Sequence, residues 1–486
     1  MFIFVKSVRG ATAFLDILPL MESTDSESLL RALPAVQRLL DDPTVKEIQA
    51  RFGRDAVLSS ARETLADLRA GILAGRHRPT GESAQQAVAL LLQRVEKRCL
   101  GGVRRAINGT GVILHTGLGR AVLPIAAINE IATELSGYAL VEIDVESGKR
   151  GHRDETVRDL LGALLGCKSA TIVNNNAAAT MLALAAIARG KEVIVSRGQL
   201  VEIGGSFRVP DVMRESGCKL VEVGTTNRTY VRDYEAAITP QTAALMLVHT
   251  SNFRLIGFTE EVGVAELAAL ARKHNLPLIY DLGSGALVEN LADELREEPV
   301  VKTALGDGAD LVLFSADKIL GGPQGGIVAG KTELVEMLRR HPLYRAFRVD
   351  KLTLRALEST LRIYLDPERR THEIPALRML RRPLADIQEE ATALAARLKC
   401  AQPVLEALCV EDSSRLGSGS LPERNIPTCV VSLKHPRLSA EALGAKFRAH
   451  KPPIFTRIQD GRVLIDPRTL LPGDMDEIEQ AARAIG

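Results

Sequence analysis

Lys318 and Asp281 are the residues whose types and spacing could do chemistry in this chain. Lys318 stands between an apolar stretch and a glycine-rich turn, in the segment FSADKILGGPQGG at 314–326. Asp281 ends the short apolar strand LIYD at 278–281. A strand ending in aspartate, followed by a strand with Ser-x-x-Lys-x-x-Gly-Gly, is the pattern of a pyridoxal phosphate (PLP) site. The lysine amine would form a Schiff base with the cofactor, and the aspartate would keep the pyridine nitrogen protonated.

A third motif supplies a place for the phosphate. The segment ATIVNNNAAAT at 170–180 begins as a strand and continues as an alanine-rich helix. Its three asparagines can cap that helix, and the free backbone N–H groups of the first turn suit a phosphate. Taken alone, this motif is more often an ordinary capped helix, and a lysine before a Gly-Gly turn is more often a solvated loop residue. The order of phosphate turn, aspartate and lysine on successive β-α units favours PLP.

Composition limits the class of protein. The 486 residues suffice for two or three domains, and 46% apolar with 25% charged residues is ordinary for a globular chain. A net charge of +2 gives no global attraction for polyanions, so a nucleic acid would need a local basic face, and no DNA partner is expected. With 3% aromatic residues and no tryptophan, we expect no base-stacking platform.

The cysteines and the lengths of the apolar runs indicate where in the cell the protein is expected. Six scattered cysteines without a C-x-x-C pair indicate a cytoplasmic protein with neither a disulfide framework nor a metal site. No apolar run reaches about eighteen residues, so no transmembrane helix and no membrane partner are expected. Residues 1–25 are predicted to be a disordered or mis-assigned extension. Lys6, Arg9 and Asp16 interrupt the apolar run that a signal peptide would need, and Met21 begins a polar, cap-rich segment that leads into a helix.

Residues 26–100 are predicted to form a helical domain. Leucines and a valine recur at helical spacing from Leu29 to Leu40, and further helices are expected at 45–52, 56–73 and 83–100. Arginines are spread along these helices among acidic residues. A solvated face is the default interpretation of that pattern, and an RNA-docking face that reads backbone shape is the functional one.

The rest of the chain predicts two further parts. Residues 101–350 alternate strands with helices, which is typical of a parallel α/β sheet. Residues 351–486 begin with helices and end in a compact α+β segment with a hairpin turning at Asp460-Gly461. This layout predicts the α/β fold of the fold-type I PLP-dependent transferases: a mostly parallel central sheet flanked by helices, with an N-terminal helical domain and a small C-terminal α+β domain. Core strands are expected at 170–173, 192–195, 219–223, 244–249, 277–281 and 310–314.

From about residue 26 onward, the chain resembles the bacterial selenocysteine synthases, the L-seryl-tRNA(Sec) selenium transferases. The segments that carry this resemblance are the Asp281 and Lys318 motifs and the blocks at 108–120, 138–150, 173–179, 202–211 and 344–351. The resemblance implies that the N-terminal helices bind tRNA, which reverses the default interpretation of their arginines. It also implies a cytoplasmic homodecameric ring.

The resemblance further implies a reaction. Seryl-tRNA(Sec) would be converted to selenocysteinyl-tRNA(Sec) with selenophosphate as donor. Serine would displace Lys318 from PLP, and the freed lysine would remove the α-proton. Loss of the β-hydroxyl as water would give an aminoacrylyl aldimine, to which selenium adds.

Individual residues receive roles on the same basis. Arg120, Arg345 and Arg348 are the candidates for selenophosphate, because arginine matches phosphate oxygens with a planar fork. Without the family, Arg345 and Arg348 would be a surface pair on one helix face. Asp317 is either an orienting residue in catalysis or a turn residue. Ser284 is expected at the phenolic oxygen of the cofactor. The phosphate is assigned to Ser315, Asn175, Asn176 and Ala177.

Two other functions remain open from the sequence. One is a small-molecule PLP lyase on the same core, of the amino-sugar acid phosphate ammonia-lyase type. The presence of the N-terminal helices argues against this function. The other is a non-catalytic RNA-binding scaffold, against which the intact Asp281 and Lys318 speak. A cysteine desulfurase is disfavoured, because no cysteine stands in the setting of a loop nucleophile.

Overall fold

The computed structural model describes residues 28–75, 83–99, 102–203, 207–253, 255–289, 298–417 and 425–485. The chain forms two compact units, Met1–Arg105 and Ala106–Gly486. The extension expected at 1–25 lies outside the described residues.

The first unit is helical. The leucine pattern predicts one continuous run, but the helix at 28–31 ends and a new one begins at Val36, because Pro34 disfavours helical backbone at the residue before it. Asp42 caps the second helix, accepting a 2.9 Å hydrogen bond from the N–H of Thr44. Buried leucines and valines from the four helices that follow residue 35 form the core of this unit. The helices are α1 (Val36–Leu40), α2 (Pro43–Phe52), α3 (Arg54–Leu73) and α4 (Ser83–Cys99).

A seven-stranded sheet organises the second unit. Its strands are rich in valine, isoleucine and leucine and are largely buried, as expected for a sheet covered by helices on both faces. The strands are β2 (Ser169–Val173), β3 (Glu192–Ser196), β6 (Lys219–Val223), β7 (Thr242–Val248), β8 (Leu278–Gly283), β9 (Leu311–Ser315) and β10 (Gly326–Gly330). Their order in the sheet is β2-β10-β9-β8-β7-β3-β6, and within it β10 alone runs antiparallel to its neighbours.

Helices connect these strands, as the α/β pattern predicts. Several end at a glycine in the left-handed conformation, such as Gly166 (φ 69°) and Gly217 (φ 82°), where only glycine avoids a steric penalty. The helices are α5 (Ile125–Glu134), α6 (Glu155–Leu165), α7 (Asn176–Ala188), α8 (Val209–Ser216), α9 (Val231–Ala237), α10 (Val264–Lys273), α11 (Val301–Gly306), α12 (Thr332–Arg340) and α13 (Pro342–Ala346). A two-stranded ribbon pairs β4 (Glu202–Ile203) with β5 (Phe207–Arg208).

The C-terminal part begins with helices and ends in a five-stranded sheet of order β1-β13-β14-β12-β11. Strand β1 (Ile107–Gly109) belongs to this sheet, where it pairs with β13 in parallel, although the sequence places it with the large domain. The remaining strands are β11 (Glu406–Ser414), β12 (Ile426–Lys434), β13 (Ile454–Gln459) and β14 (Arg462–Ile465). The helices are α14 (Lys351–Tyr364), α15 (Pro367–Glu373), α16 (Pro375–Arg381), α17 (Leu384–Ala401), α18 (Ala440–Ala449) and α19 (Asp474–Arg483).

Candidate active site

The predicted aspartate and lysine meet at one edge of the large sheet. Asp281 is in register with Leu313 on the neighbouring strand, and Lys318 follows shortly after that strand ends. The N–H of Ile319 donates a 3.1 Å hydrogen bond to the carbonyl of Ser284, which ties the lysine loop to the loop after Asp281. Both side chains are buried, and the carboxyl ends of parallel strands are where ligands bind in open α/β sheets.

Asp281 is held by two donors from α7. The side-chain nitrogen of Asn176 donates to Oδ1 at 2.7 Å, and the hydroxyl of Thr180 donates to Oδ2 at 2.9 Å. Burial raises the pKa of Asp281, while these hydrogen bonds and the charge of Lys318 act in the opposite direction. The carboxylate is therefore oriented for a cationic partner. Thr180 was not predicted as a site residue, although its i+4 spacing from Asn176 places both on one helix face.

Lys318 lies in an environment that favours its uncharged amine. Burial lowers the pKa of Lys318, and the positive charge of Arg120 adds to this, whereas Asp281, Asp317 and Glu298 act in the opposite direction. A lysine with a lowered pKa is a better nucleophile near neutral pH, as Schiff-base formation requires.

The turn after β2, at 174–177, is the candidate anion site. Asn175 is the N-cap of α7, and its side chain accepts a 2.9 Å hydrogen bond from the N–H of Ala178. The first N–H groups of the helix, including that of Ala177, have no partner within the helix and suit a phosphate. Of the three asparagines predicted to cap, only Asn175 does so. Asn176 holds Asp281 instead, and the backbone N–H of Asn174 donates to Phe347.

Two further predicted residues lie beside this turn. Ser315 ends β9 and is in register with Gly326 on β10. A Cβ added at Gly326 would overlap the carbonyl of Asn175, so only glycine lets the strand approach the turn this closely. Ser284 is fully buried, and its hydroxyl has no hydrogen-bond partner among the described residues.

The residues present fit PLP. An orphaned buried hydroxyl indicates a missing ligand, because buried polar groups are almost always hydrogen-bonded. The helix terminus at Asn175 suits the phosphate, Lys318 the aldehyde, Asp281 the ring nitrogen and Ser284 the phenolic oxygen.

Arg120 and Asp317 form an ion pair next to the lysine. Nη1 of Arg120 lies 2.8 Å from Oδ2 of Asp317, whose side chain is 8% exposed. The backbone of Arg120 is left-handed, with φ of 63°, and the carbonyl of Asp317 accepts a 3.3 Å hydrogen bond from Ala121. Asp317 is thus an ion-pair partner in addition to its place in the turn.

Arg345 and Arg348 do not share a helix face, because α13 ends at Ala346. Both line a basic cleft of about 480 Å³, together with Arg150, Arg153, Arg339 and Arg340. Neither forms an ion pair with another residue in the described part of the chain. The carbonyl of Phe347, between them, accepts a 2.9 Å hydrogen bond from the N–H of Asn174. This segment therefore borders the anion site.

A buried hydrogen-bond network, which was not predicted from the sequence, supports the position of this segment beside the candidate anion site. Oδ2 of Asp154 accepts hydrogen bonds from Thr171 at 2.5 Å, Arg339 at 2.9 Å and Tyr344 at 3.2 Å. Burial raises the pKa of Tyr344 to about 12. The network ties α13 to β2, just before the anion site.

The described residues contain neither a candidate metal site nor a helix that could span a membrane. No cluster of three or more histidine, cysteine, aspartate or glutamate residues suited to a metal occurs in the described ranges. Within those same ranges, every helix is too short or too polar to cross a bilayer.

Comparison with protein families gives matches along most of the chain. The family model described as L-seryl-tRNA selenium transferase matches residues 106–471, and that described as selenocysteine synthase N terminal matches residues 30–69. The L-seryl-tRNA(Sec) selenium transferase of Alkaliphilus metalliredigens is 46% identical over 460 residues, covering 94% of this chain and 98% of that protein. That of Methylocella silvestris is 46% identical over 452 residues, covering 92% and 95%.

Solved structures match the fold. A D-glucosaminate-6-phosphate ammonia-lyase superposes with a TM-score of 0.55 at 20% identity, covering 80% of this chain and 97% of that chain. A serine palmitoyltransferase from S. paucimobilis, solved with a bound PLP–myriocin aldimine, matches with a TM-score of 0.40 at 14% identity, covering 78% and 87%. The predicted α/β fold of the fold-type I PLP-dependent enzymes is confirmed.

Proposed function

Since the chain belongs to the L-seryl-tRNA(Sec) selenium transferase family, we propose that Lys318 and Asp281 carry its reaction with PLP bound between them. The enzyme converts seryl-tRNA(Sec) to selenocysteinyl-tRNA(Sec). The observation that carries the proposal is the convergence of three groups on one sheet edge: a buried amine, an oriented carboxylate and a capped helix terminus.

When bound, PLP supplies an electron sink that stabilises negative charge at the serine α-carbon. Asp281 would hold the ring nitrogen of the cofactor, and Asn176 and Thr180 keep that carboxylate in place. Lys318 would hold the cofactor through its amine, and as a free amine it would be the base for the α-proton of serine. Its lowered pKa suits both tasks, because each requires the uncharged amine.

Several of the other predicted residues are proposed to bind the cofactor phosphate or the selenium donor. The terminus of α7, with Asn175 and Ala177, holds the cofactor phosphate, and Ser315 lies beside it. Selenophosphate is the proposed donor, and Arg345 and Arg348 are its proposed ligands because their guanidinium groups are not committed to carboxylates. Arg120 is the third proposed ligand, and unlike the other two it is paired with a carboxylate. Asp317 holds Arg120 at 2.8 Å and so sets the direction of its guanidinium fork.

The partner and assembly assignments rest on the family. We propose that the first unit binds tRNA, that the protein forms a homodecamer and that it is cytoplasmic. On α4, Arg94 and Arg98 pair with acidic residues of α3, so they are already partly neutralised. Measuring tRNA affinity against salt tests the first assignment. Counterion release predicts a steep fall of log affinity with log salt, and a flat response would favour a small-molecule lyase.

One experiment tests the central proposal. Protein incubated with PLP should turn yellow, borohydride should fix the cofactor to Lys318, and Lys318→Ala should abolish that fixation. The same preparation should convert seryl-tRNA(Sec) and selenophosphate to selenocysteinyl-tRNA(Sec), identified from the released aminoacyl group. A colourless protein that forms no product would overturn the proposal.

A further inference from the structure

The basic cleft beside the candidate anion site carries more positive charge than its own carboxylates neutralise. Six arginines and two carboxylates line it. Arg150 and Arg153 are bonded to Glu142, and Nη2 of Arg339 lies 2.9 Å from Oδ2 of Asp154. The other three arginines have no carboxylate partner within the described residues. The cleft is therefore cationic and open to an anionic ligand.

The three unpaired arginines are Arg340, Arg345 and Arg348, and all of them are exposed. Arg345 and Arg348 are the proposed ligands of selenophosphate. Arg340 is the last residue of α12, and it has no assigned role although it lines the same cleft. An uncommitted guanidinium group in a concave basic surface matches the oxygens of a phosphate.

The exposed arginines are spread along strand β2. Near the start of this strand, Nη2 of Arg339 donates a 2.9 Å hydrogen bond to the carbonyl of Ala170. Just after its end, the N–H of Asn174 donates a 2.9 Å hydrogen bond to the carbonyl of Phe347. The two contacts are about 13 Å apart along the strand. Because an exposed arginine directly follows both Arg339 and Phe347 in the chain, the positive charge forms a row and not a single point.

The floor of the cleft is ordered and has little to offer a base. The hydroxyl of Tyr344 lies 2.9 Å from that of Thr171 and 3.2 Å from Oδ2 of Asp154. A ligand would thus order only the arginine side chains and not the backbone that carries them. Among the lining residues Tyr344 is the only phenylalanine, tyrosine or tryptophan, so the cleft lacks a platform for base stacking. It is suited to phosphates and not to a base sequence.

The cleft is too large for the selenium donor alone. Selenophosphate has five non-hydrogen atoms and, at about 30 Å³ for each, fills about 150 Å³. The cleft measures about 480 Å³. Volumes of this size accept ligands with many more atoms than one tetrahedral anion.

The second substrate supplies the remaining negative charge. In seryl-tRNA(Sec) the serine is esterified to the ribose at the 3′ end, and every preceding nucleotide linkage carries one phosphate charge. When that serine reaches Lys318, the last phosphates of the RNA must lie against the surface around the site. The cleft borders the candidate anion site through the bond between Asn174 and Phe347, so its positive charge is within reach of those phosphates.

We propose that Arg340 binds a backbone phosphate in the unpaired 3′ end of seryl-tRNA(Sec), in the part of the cleft that selenophosphate does not fill. The inference rests on the proposed function. It divides one cleft between two substrates: Arg345 and Arg348 hold the donor, and Arg340 holds the RNA that carries serine. The contact is independent of base sequence and guides the aminoacyl end toward Lys318.

The test compares the affinities of wild type and Arg340→Met for two RNAs, intact tRNA(Sec) and the same tRNA without its unpaired 3′ nucleotides. Arg340→Met should bind the intact tRNA about threefold to tenfold more weakly, as expected for the loss of one exposed ionic contact. The slope of log affinity against log salt should become shallower by about 0.7, the value for one phosphate of a single strand. Both proteins should bind the shortened tRNA equally, because it lacks the nucleotides that Arg340 contacts.

Arg437→Met is the matched control. Arg437 is an exposed arginine between β12 and α18 without an ion pair in the described part of the chain, and its loss should change neither affinity nor slope. In the product assay, Arg340→Met should leave the KM for selenophosphate within twofold of the wild-type value. A clear rise in that KM would assign Arg340 to the donor site and overturn the inference.

Two further results would overturn it. One is an equal loss of affinity for the intact and the shortened tRNA, or no loss for either, because the contact would then not be to the 3′ end. The other is a change in the size of the assembly on sedimentation of Arg340→Met, which would make the cleft an interface between copies of this chain. The binding comparison needs no PLP. A colourless, inactive wild type would overturn the proposed reaction, and the comparison would still decide the role of the cleft separately.

Discussion

Asn176 on α7 donates a 2.7 Å hydrogen bond to the carboxylate of Asp281 on β8. The helix whose terminus forms the anion site therefore also orients the carboxylate proposed to hold the cofactor ring. Thr180, one turn further along the same helix, binds the second oxygen. The phosphate end and the nitrogen end of the cofactor are thus positioned by one rigid element.

Removing the amide of Asn176 should weaken cofactor binding. We expect Asn176→Ala to bind PLP about tenfold to hundredfold more weakly, the range for one hydrogen bond to a charged group. The loss also raises the pKa of Asp281 further, so its charged form is lost at a higher pH. As pH falls, the variant should therefore release PLP earlier than the wild type. Spectral titration measures both effects. Asn129→Ala, at an exposed position on α5, should change neither.

The cap of α7 should contribute to both stability and phosphate binding. Asn175→Ala should lower the free energy of unfolding by about 1 kcal/mol and also weaken PLP binding. Ser439→Ala removes the corresponding cap of α18, where the hydroxyl accepts from Ala442 at 3.2 Å. It should cost similar stability in urea denaturation without changing PLP affinity. Equal PLP affinity in both variants would show that the cap has no role in the anion site.

Arg120 should control the pH at which Lys318 reacts. The positive charge of Arg120 lowers the pKa of Lys318, and its removal leaves Asp317 unpaired, which raises that pKa. The free amine exists above the pKa, so Arg120→Met should move the pH profile of PLP attachment to higher pH. Stopped-flow absorbance of the cofactor-free protein measures this rate. Arg197→Met, which removes an exposed ion pair with Glu222, should leave the profile unchanged.

Asp154 should matter for stability without touching the substrate. Asp154→Asn leaves the buried Arg339 without a charged partner on that side and weakens the bonds from Thr171 and Tyr344. We expect a loss of about 3 kcal/mol in urea denaturation. Glu155→Gln, the exposed neighbour, should change stability by less than about 0.5 kcal/mol. A small effect at Asp154 would contradict the assignment of the network as structural support.

The sequence was sufficient for those features that local pattern determines. The strands at 219–223, 277–281 and 310–314 were predicted from apolar runs bounded by turns. Because these strands alternate with helices, they run parallel and their carboxyl ends lie at one edge of the sheet. Lys318 and Asp281 were therefore predictable as neighbours.

Features that depend on distant parts of the chain were not predictable. The sequence could not assign β1 to the C-terminal sheet, because its partner β13 is near the other end of the chain. The Asp154 network carries no motif, and it is visible only after folding brings Thr171, Arg339 and Tyr344 to one carboxylate. The alternative interpretation, in which Arg345 and Arg348 share one helix face, was wrong, because the helix ends at Ala346, two residues before Arg348.

The antiparallel strand β10 between β2 and β9 has a consequence for ligand size. Two inter-strand spacings separate the strands that end at the anion site and before Lys318, roughly 10 Å in all. Because a Cβ at Gly326 would overlap the carbonyl of Asn175, β10 lies tightly against the turn that follows β2 and fixes this separation. The separation in turn sets the length of a ligand that can contact both the turn and the Lys318 loop. A side chain at position 326 would push the turn away from Lys318.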